Sequence, residues 1–487
     1  MAIGQYKDVE QGEINVLEDL KRPLVQEEKI ISHKIKNNYQ TDNEEETTGS
    51  IGMVLFSTFV AVCGSFEFGS CVGYSAPTQS AIMEDLNLTA SQYSMFGSIL
   101  TIGAMLGAIT SGRIADYIGR KGAMRMSVGF CITGWVAVFF SKEYFSLDMG
   151  RFFTGYGIGV FSFVIPIYIA EISPKNLRGG LTTLNQLMIV TGSSTAFLLG
   201  SVISWKALAL TGLVPCIFLL VGLFFIPESP RWLAKVGRDR EFKVALQKLR
   251  GKDADITREE DEIQDSIEIL EALPKARFLD LFQRQYIRVI FIGVAIMICQ
   301  QFVGINGVGF YVSQIFVTAG LSSGTLGTMN HCLCLYSGSD NNSGSNVNGQ
   351  VWKKTTNNGF CSWDMVGTSF LLKSLSLLLG WVPILAAAGV LVFISAFSIG
   401  MGAVPWLIMS EIFPINIKGV GGSLVVLVNW LGAWIVSYTF NFLISWSSSG
   451  TFFLYSGFSL MTILFVAKFV PETKGKTLEE IQECINS

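Results

Sequence analysis

Long apolar runs, separated by short polar connections, recur along the chain. They cover about 51–76, 93–112, 122–141, 148–170, 181–203 and 206–226, then 287–318, 381–408, 420–444 and 451–470. A helix needs roughly 20 apolar residues to cross hydrocarbon, so each run predicts a membrane span. The stretch from "PESPR" to "QRQYIR" is instead charged and helically patterned. The pattern divides the chain into a polar tail (1–50), a first six-helix bundle (51–226), a helical linker (227–286), a second bundle (287–470) and a polar tail (471–487). Short basic connections ("GRIADYIGRKG", "SPKNLRG", "PESPRW", "INIKG", "ETKGK") fall at every second loop. The positive-inside rule therefore predicts that both termini are cytoplasmic.

Composition agrees with lipid. Half of the residues are hydrophobic and only 15% are charged, where a soluble chain carries about a quarter. The class predicted is an all-α polytopic membrane protein. The net charge of -3 gives no reason to expect nucleic acid as a partner, and nine scattered cysteines show no metal-ligand or disulfide spacing. Neither His33 nor His331 has a catalytic companion. With no nucleophile–base set, metal cluster or nucleotide loop, an enzyme and a cofactor are not expected. No apolar core precedes Ile51, so no cleavable signal is predicted. Within the tail, "LEDLKRPLV" resembles a leucine-based sorting signal of vacuolar membrane proteins; a weakly helical stretch is the other reading. Asn87-Leu88-Thr89 is a glycosylation sequon in the first outer loop.

The run over 287–318 contains "QQFVGIN", three amides where lipid would favour none. Polar groups this deep are expensive unless used. Gln301 and Asn306 would lie about 140° apart on an ideal helix. Gly304, Gly307 and Gly309 permit an unwinding that could bring them together, as in the broken helices of transporters. Structural hydrogen bonding between helices is the alternative.

The chain also repeats itself. "IYIAEISPKNLRG" carries Glu171 and, seven residues on, Arg178; "LIMSEIFPINIKG" carries Glu411 and, again seven on, Lys418. Two spans later "PESPR", with Glu228 and Arg231, answers "PETKGK", with Glu472. Matching motifs at matching distances predict two homologous halves with a substrate site between them. The paired charges at the helix ends read as a gate that bridges when the inner side is shut; topology determination and snorkelling are the bland reading.

Together, "GRIADYIGRKGAM", "RFFTGYGIGVFSFVIPIYIAEISPKNLRG", "PESPRW", "QQFVGIN", "GAVPWLIMSEIFP" and "VPETKGKTLEEI" resemble the sugar porter family of the major facilitator superfamily. "FEFGSCVGYSAPTQ" is similar to the early-responsive-to-dehydration-like monosaccharide transporters of plants. The resemblance implies two pseudo-symmetric six-helix bundles that carry monosaccharides by alternating access, in a vacuolar or plasma membrane. It implies sugar-binding roles for Gln186, Gln300, Gln301, Asn306, Trp406 and Asn429. It implies gating roles for Asp116, Arg120, Glu171, Arg178, Glu228 and Arg231 in the first half, and for Glu411, Lys418 and Glu472 in the second. The partners expected are a small sugar, the lipid bilayer and, in a proton-coupled alternative, protons.

Three departures matter. Proton-coupled members carry an aspartate where this chain has Cys71, and Glu67, the nearest carboxylate, is expected to face elsewhere; facilitated diffusion is the first reading and symport the second. Ser398 replaces an acidic or polar position before "GAVPW". Finally, the span-forming pattern fails over 329–366, where helices eight and nine belong and Asn, Ser and Gly dominate. Reading the codons for "GQVWKKTTNNG" one base later permits "DKSGRRPLIM", the family's missing loop. A frame or splicing error is therefore expected there, and an inactive variant or a non-transporting sugar sensor remains an alternative function.

Overall fold

The computed structural model describes residues 51–174, 177–252, 254–272, 281–283, 286–318, 404–413 and 417–470, with isolated positions between 389 and 402. The expectations at Ser398, Glu472, both tails and 329–366 lie outside the described residues. Among those described, all regular structure is helical. The first half comprises α1 (Gly52–Gly73), α2 (Ser75–Asp85), α3 (Ala90–Phe140), α4 (Tyr144–Ile172), α5 (Arg178–Gly200), α6 (Trp205–Thr211) and α7 (Leu213–Gly222). The linker folds as α8 (Pro230–Lys235), α9 (Asp239–Arg250) and α10 (Thr257–Ala272). The second half contributes α11 (Ile287–Phe302), α12 (Ile305–Thr318), α13 (Val404–Ile412), α14 (Lys418–Trp446) and α15 (Ser448–Phe469).

Seven of the described helical stretches are long and apolar enough to cross a membrane. Two predicted spans, 93–112 and 122–141, share the long α3, which breaks at Gly119 (φ 82°, ψ 171°). The predicted span 181–203 forms α5, which is absent from those seven. The reason is its polarity: Thr182, Thr183, Asn185, Gln186, Thr191, Ser193, Ser194 and Thr195 interrupt the apolar run. A helix so composed suits the interior of a bundle better than lipid. Ends are set locally. Thr89 caps α3 in a reciprocal pair with Gln92, and the sequon Asn87 stands exposed just before it at φ 50°.

Close backbone approach holds the first half together. A methyl group at Gly103 or Gly107 would sit 2.3 or 2.2 Å from the carbonyl oxygens of Phe152 or Tyr156. One at Gly155 or Gly159 would sit 2.2 Å from those of Leu100 or Ala104. The α3–α4 seam is therefore helix against helix with no side chain between, the arrangement by which small residues let spans pack in lipid. Gly159→Val is expected to abolish recovery of monodisperse protein from detergent. Gly129→Val, at an exposed position with nothing within 4 Å, is expected to elute as the unsubstituted chain does. Size-exclusion profiles of the two variants check this.

Candidate functional site

The predicted unwinding occurs where the glycines allow it. α11 ends at Phe302, and the chain turns at Gly304 with φ 100°, a left-handed value glycine adopts without strain. The turn brings Asn306 beneath Gln301, so that the Asn306 Nδ2 donates to Gln301 Oε1. Gln301 Nε2 in turn donates to Asn429 Oδ1 of α14 at 2.6 Å. Three of the predicted amides thus form one hydrogen-bonded set at a helix break. Gln301 is buried, while Asn306 and Asn429 are half-buried.

Gln300 does something else. Pro405 has no N–H, so the Met401 carbonyl, four residues earlier, loses its helical donor. Gln300 Nε2 supplies one, 2.5 Å from Met401 O and 3.4 Å from Gly402 O. Its own Oε1 is buried and unpartnered. Trp406 follows Pro405 and is 42% exposed; no hydrogen bond or ring contact joins it to the amide set. Gln186 is exposed on α5, and its neighbour Asn185 accepts a hydrogen bond from Ser65 of α1 at 2.6 Å.

The two halves meet at the end of the bundle away from the linker. Asn441 Nδ2 of α14 donates to Ser94 Oγ of α3 at 2.9 Å, and both residues are buried. Tyr311 lies edge-on to Tyr93 at 6.4 Å, its hydroxyl over Gly97. Deeper in, Phe68 of α1 meets Trp430 of α14 at 6.3 Å. Sequence reasoning missed this closure. Its signal was there: an asparagine in "YTFNFLISW" and a serine in "QYSMF", both inside apolar runs.

At the linker end, Arg120 makes a two-pronged pair with Glu171, Nε and Nη2 each 2.8 Å from a carboxylate oxygen. Ser229 Oγ adds a third donor to Glu171 at 2.6 Å. Asp116 joins more loosely, 3.4 Å from Arg120 and 3.1 Å from Lys235. Glu228 accepts from the backbone N–H groups of Arg120, Lys121 and Ser229. Burial pushes its carboxyl above the ordinary glutamate value, and those N–H groups pull it back. These contacts all lie within the first half and its linker and coexist with a closed far end. Arg231 does not join them; it points to solvent. Arg178 opens α5, Glu411 falls on α13 and Lys418 opens α14. The side chains of Glu411 and Lys418 are not among the described positions.

Two expectations need correction. Glu67 does not face away from Cys71. Four residues apart on α1 they share a face, and Cys71 Sγ donates to Glu67 Oε1 at 3.2 Å. Nor are potential metal ligands dispersed: donor atoms of Glu67, Cys131 and Cys216 lie within 4.8 Å of one another. They come from α1, α3 and α7, so no sequence spacing could reveal them. Arg151, fully buried nearby, gives its donors to Cys71 O at 2.8 Å and Ser75 Oγ at 2.5 Å and touches no described carboxylate.

A helical bundle whose sequence repeats in two halves, with a polar span broken at Gly304 in the second, fits the membrane carriers of the major facilitator fold. Comparison narrows this. The family described as "Sugar (and other) transporter" matches residues 23–334 and 359–484. "Sugar transporter ERD6-like 16" of Arabidopsis thaliana is 65% identical over 491 residues, covering 100% of this chain and 99% of that protein. "Sugar transporter ERD6-like 7" of the same plant is 56% identical, covering 89% and 94%. Among solved structures, the proton:xylose symporter XylE bound to 6-bromo-6-deoxy-D-glucose matches with a TM-score of 0.72 at 25% identity, covering 89% of this chain and 99% of that one. The chain belongs to the sugar transporter family, whose members are carriers and not enzymes.

The linker-end contacts differ in depth, and so should their worth. Glu171→Ala leaves a guanidinium that is only 10% exposed with the looser Asp116 as its remaining carboxylate; it is expected to cost about 3 kcal/mol and to lower the melting temperature in detergent clearly. Asp116→Ala, removing a carboxylate 53% exposed, is expected to cost no more than about 1 kcal/mol. Thermal melting followed by tryptophan fluorescence checks the ranking.

Proposed function

We propose that this chain carries monosaccharides, hexoses such as glucose or fructose, across a vacuolar or plasma membrane by alternating access and facilitated diffusion, with both termini in the cytoplasm. One observation carries the reading: Gln301, Asn306 and Asn429 form a hydrogen-bonded amide set at a helix break. A pyranose arrives with hydroxyls that have given up water and need both donors and acceptors. Side-chain amides supply both without the desolvation cost of a charge. With no sugar present, the amides satisfy one another. Binding exchanges one set of hydrogen bonds for another, so the net free energy stays small and release remains easy. Trp406, exposed beside the Pro405 break, offers an apolar face to the C–H side of the ring, and Gln186 offers a further amide from the first half. Gln300 acts as a brace that holds the broken helix before Trp406 in place.

Transport then requires the halves to rock. Opening the far side separates Asn441 from Ser94 and Tyr311 from Gly97. Arg120, Glu171 and Ser229 tie α3, α4 and the linker together so that the first half moves as a body. The absence of a contact between Arg151 and any described carboxylate favours uniport. The position where an acid would answer that guanidinium holds Cys71, and Glu67 is held by Trp135 and Cys71 instead.

The family match stops at 334 and resumes at 359, inside the anomalous 329–366 stretch. This supports a frame or splicing error there, and a chain lacking two spans of the second half would not transport. Sequencing the transcript is expected to find a shifted or spliced boundary; one uninterrupted frame encoding the printed peptide overturns that point.

In a frame-restored chain in proteoliposomes, Gln301→Ala and Asn306→Ala are each expected to reduce labelled-glucose counterflow about tenfold, the equivalent of ~1.4 kcal/mol from one or two lost hydrogen bonds. Undiminished exchange in both variants would remove the amide set from the mechanism. Binding without counterflow in the unsubstituted chain would identify a sensor. Uptake is expected to equilibrate without accumulating, and an uncoupler to leave it unchanged; accumulation abolished by the uncoupler would establish symport.

A further inference from the structure

The first half contains a polar cluster that sugar transport does not use. Glu67 on α1, Cys131 on α3 and Cys216 on α7 present their donor atoms within 4.8 Å of one another. All three residues are sealed from solvent, at 0%, 0% and 1% exposure. Buried cysteines taken singly are small apolar fillers. That account does not extend to Cys131 and Cys216, whose sulfur atoms lie with a Glu67 oxygen within 4.8 Å of one another. Nor does it explain the carboxylate. Its Oε1 accepts from Trp135 Nε1 at 2.5 Å and from Cys71 Sγ at 3.2 Å. Its Oε2 is buried and has no partner. A buried oxygen left unpaired is costly, and it sits beside two thiols that supply the remaining donors of a soft-metal site.

The geometry points to a binding site for a thiophilic divalent cation, Zn²⁺ or Cd²⁺ by chemistry, formed by Glu67, Cys131 and Cys216 with Cys71 as the neighbouring fourth donor. Four-coordinate zinc holds sulfur at about 2.3 Å and carboxylate oxygen at about 2.0–2.2 Å, so donors on one ion stand about 3.5–3.8 Å apart. The present spread closes on that value by small rotations of short side chains. Charge also suits the ion. Two thiolates and a carboxylate around a dication leave one negative charge, and the guanidinium of Arg151 lies close by, bonded to the backbone oxygen of Cys71. The two thiol protons pass to water as the metal enters. Trp135 Nε1 steadies the carboxylate from outside the ligand set, as outer hydrogen bonds do at metal sites. An ion here would tie α1, α3 and α7 to one another and stiffen the first half.

The test uses the full chain with Cys332, Cys334, Cys361 and Cys484 changed to serine, which removes the thiols that lie beyond the described residues. Purified protein is stripped with a chelator, incubated with Cd²⁺ and washed. Bound metal is counted by elemental analysis, the thiolate-to-metal charge-transfer band is read in the ultraviolet, and melting is followed with and without metal. One cadmium per chain, a charge-transfer band and a raised melting temperature are expected. All three should vanish in C131S/C216S, while E67Q should keep the band but release the ion at least tenfold faster. Should the double variant aggregate, C216A alone serves, with loss of the band expected. No band in the unsubstituted background, or equal cadmium and an equal band in C131S/C216S or C216A, overturns the proposal.

Discussion

Hydrocarbon offers no hydrogen bonds, so a polar group inside this bundle needs a partner in the protein itself. Much of the interior follows from that demand. Pro405 deprives the Met401 carbonyl of its donor, and Gln300 returns one from another helix. Arg151 carries a full charge at 0% exposure, and it is held by a backbone carbonyl, a serine hydroxyl and the faces of Tyr74 and Phe96. Asn441 finds Ser94 across the boundary between halves. Each is a bridge between elements, so satisfying a polar group and fixing the fold are the same event.

In the mechanism proposed above, the amide set turns this constraint into a means of transport. A site lined by isolated polar groups would be destabilised when empty, and a strongly charged site would hold its cargo too long. Mutually bonded amides avoid both. Gln301, Asn306 and Asn429 are partnered with one another, and in the proposed mechanism the same atoms turn to hydroxyls when a sugar binds. The linker-end network obeys a different logic because it lies at the bundle's edge. There, charge-assisted pairs between Arg120 and Glu171 can be strong without isolating either partner from all water.

Legibility in the sequence followed periodicity and local grammar. The spans among the described residues were readable where a long apolar run is a one-dimensional signal, and the linker because its charges change the pattern; 381–403 lies mostly outside those residues. Gln301 and Asn306 could be paired in advance, since five residues and an intervening Gly304 restrict the geometry enough. Asn429 came only through resemblance; nothing local assigns a partner 128 residues away. The error at Glu67 was avoidable, because positions four apart on a helix share a face whatever the tertiary fold. The grouping of Cys131 with Cys216 was not avoidable: three helices must pack before their thiols meet. Gln300 shows the same limit from the other side. Its neighbour Gln301 has the same chemistry, yet one position on the helix, about 100° of rotation, directs one amide to a sister amide and the other to a broken backbone.

Two kinds of helix contact occur among the described residues, and the difference bears on where movement can occur. In the first half, helices α3 and α4 touch through bare backbone, and buried charges stitch α3 and α4 to the linker. Among the described residues of the second half, broad aromatic faces also meet: Tyr311, Phe440 and Tyr455 lie nearly parallel, at 5.2 and 6.3 Å with 9° between successive planes. Parallel rings can slide with little loss of contact, whereas interlocked backbones cannot. Gly304 sits against this stack. A methyl group there would fall 2.6 Å from the Tyr455 ring, and its φ of 100° is costly for any residue with a side chain. The break that joins Gln301 to Asn306 is therefore held open by an apolar ring on one side and by the absence of a side chain on the other. A shift of Tyr455 along the stack would change the turn at Gly304, and with it the distance between the amides, without any polar contact being the first to give way.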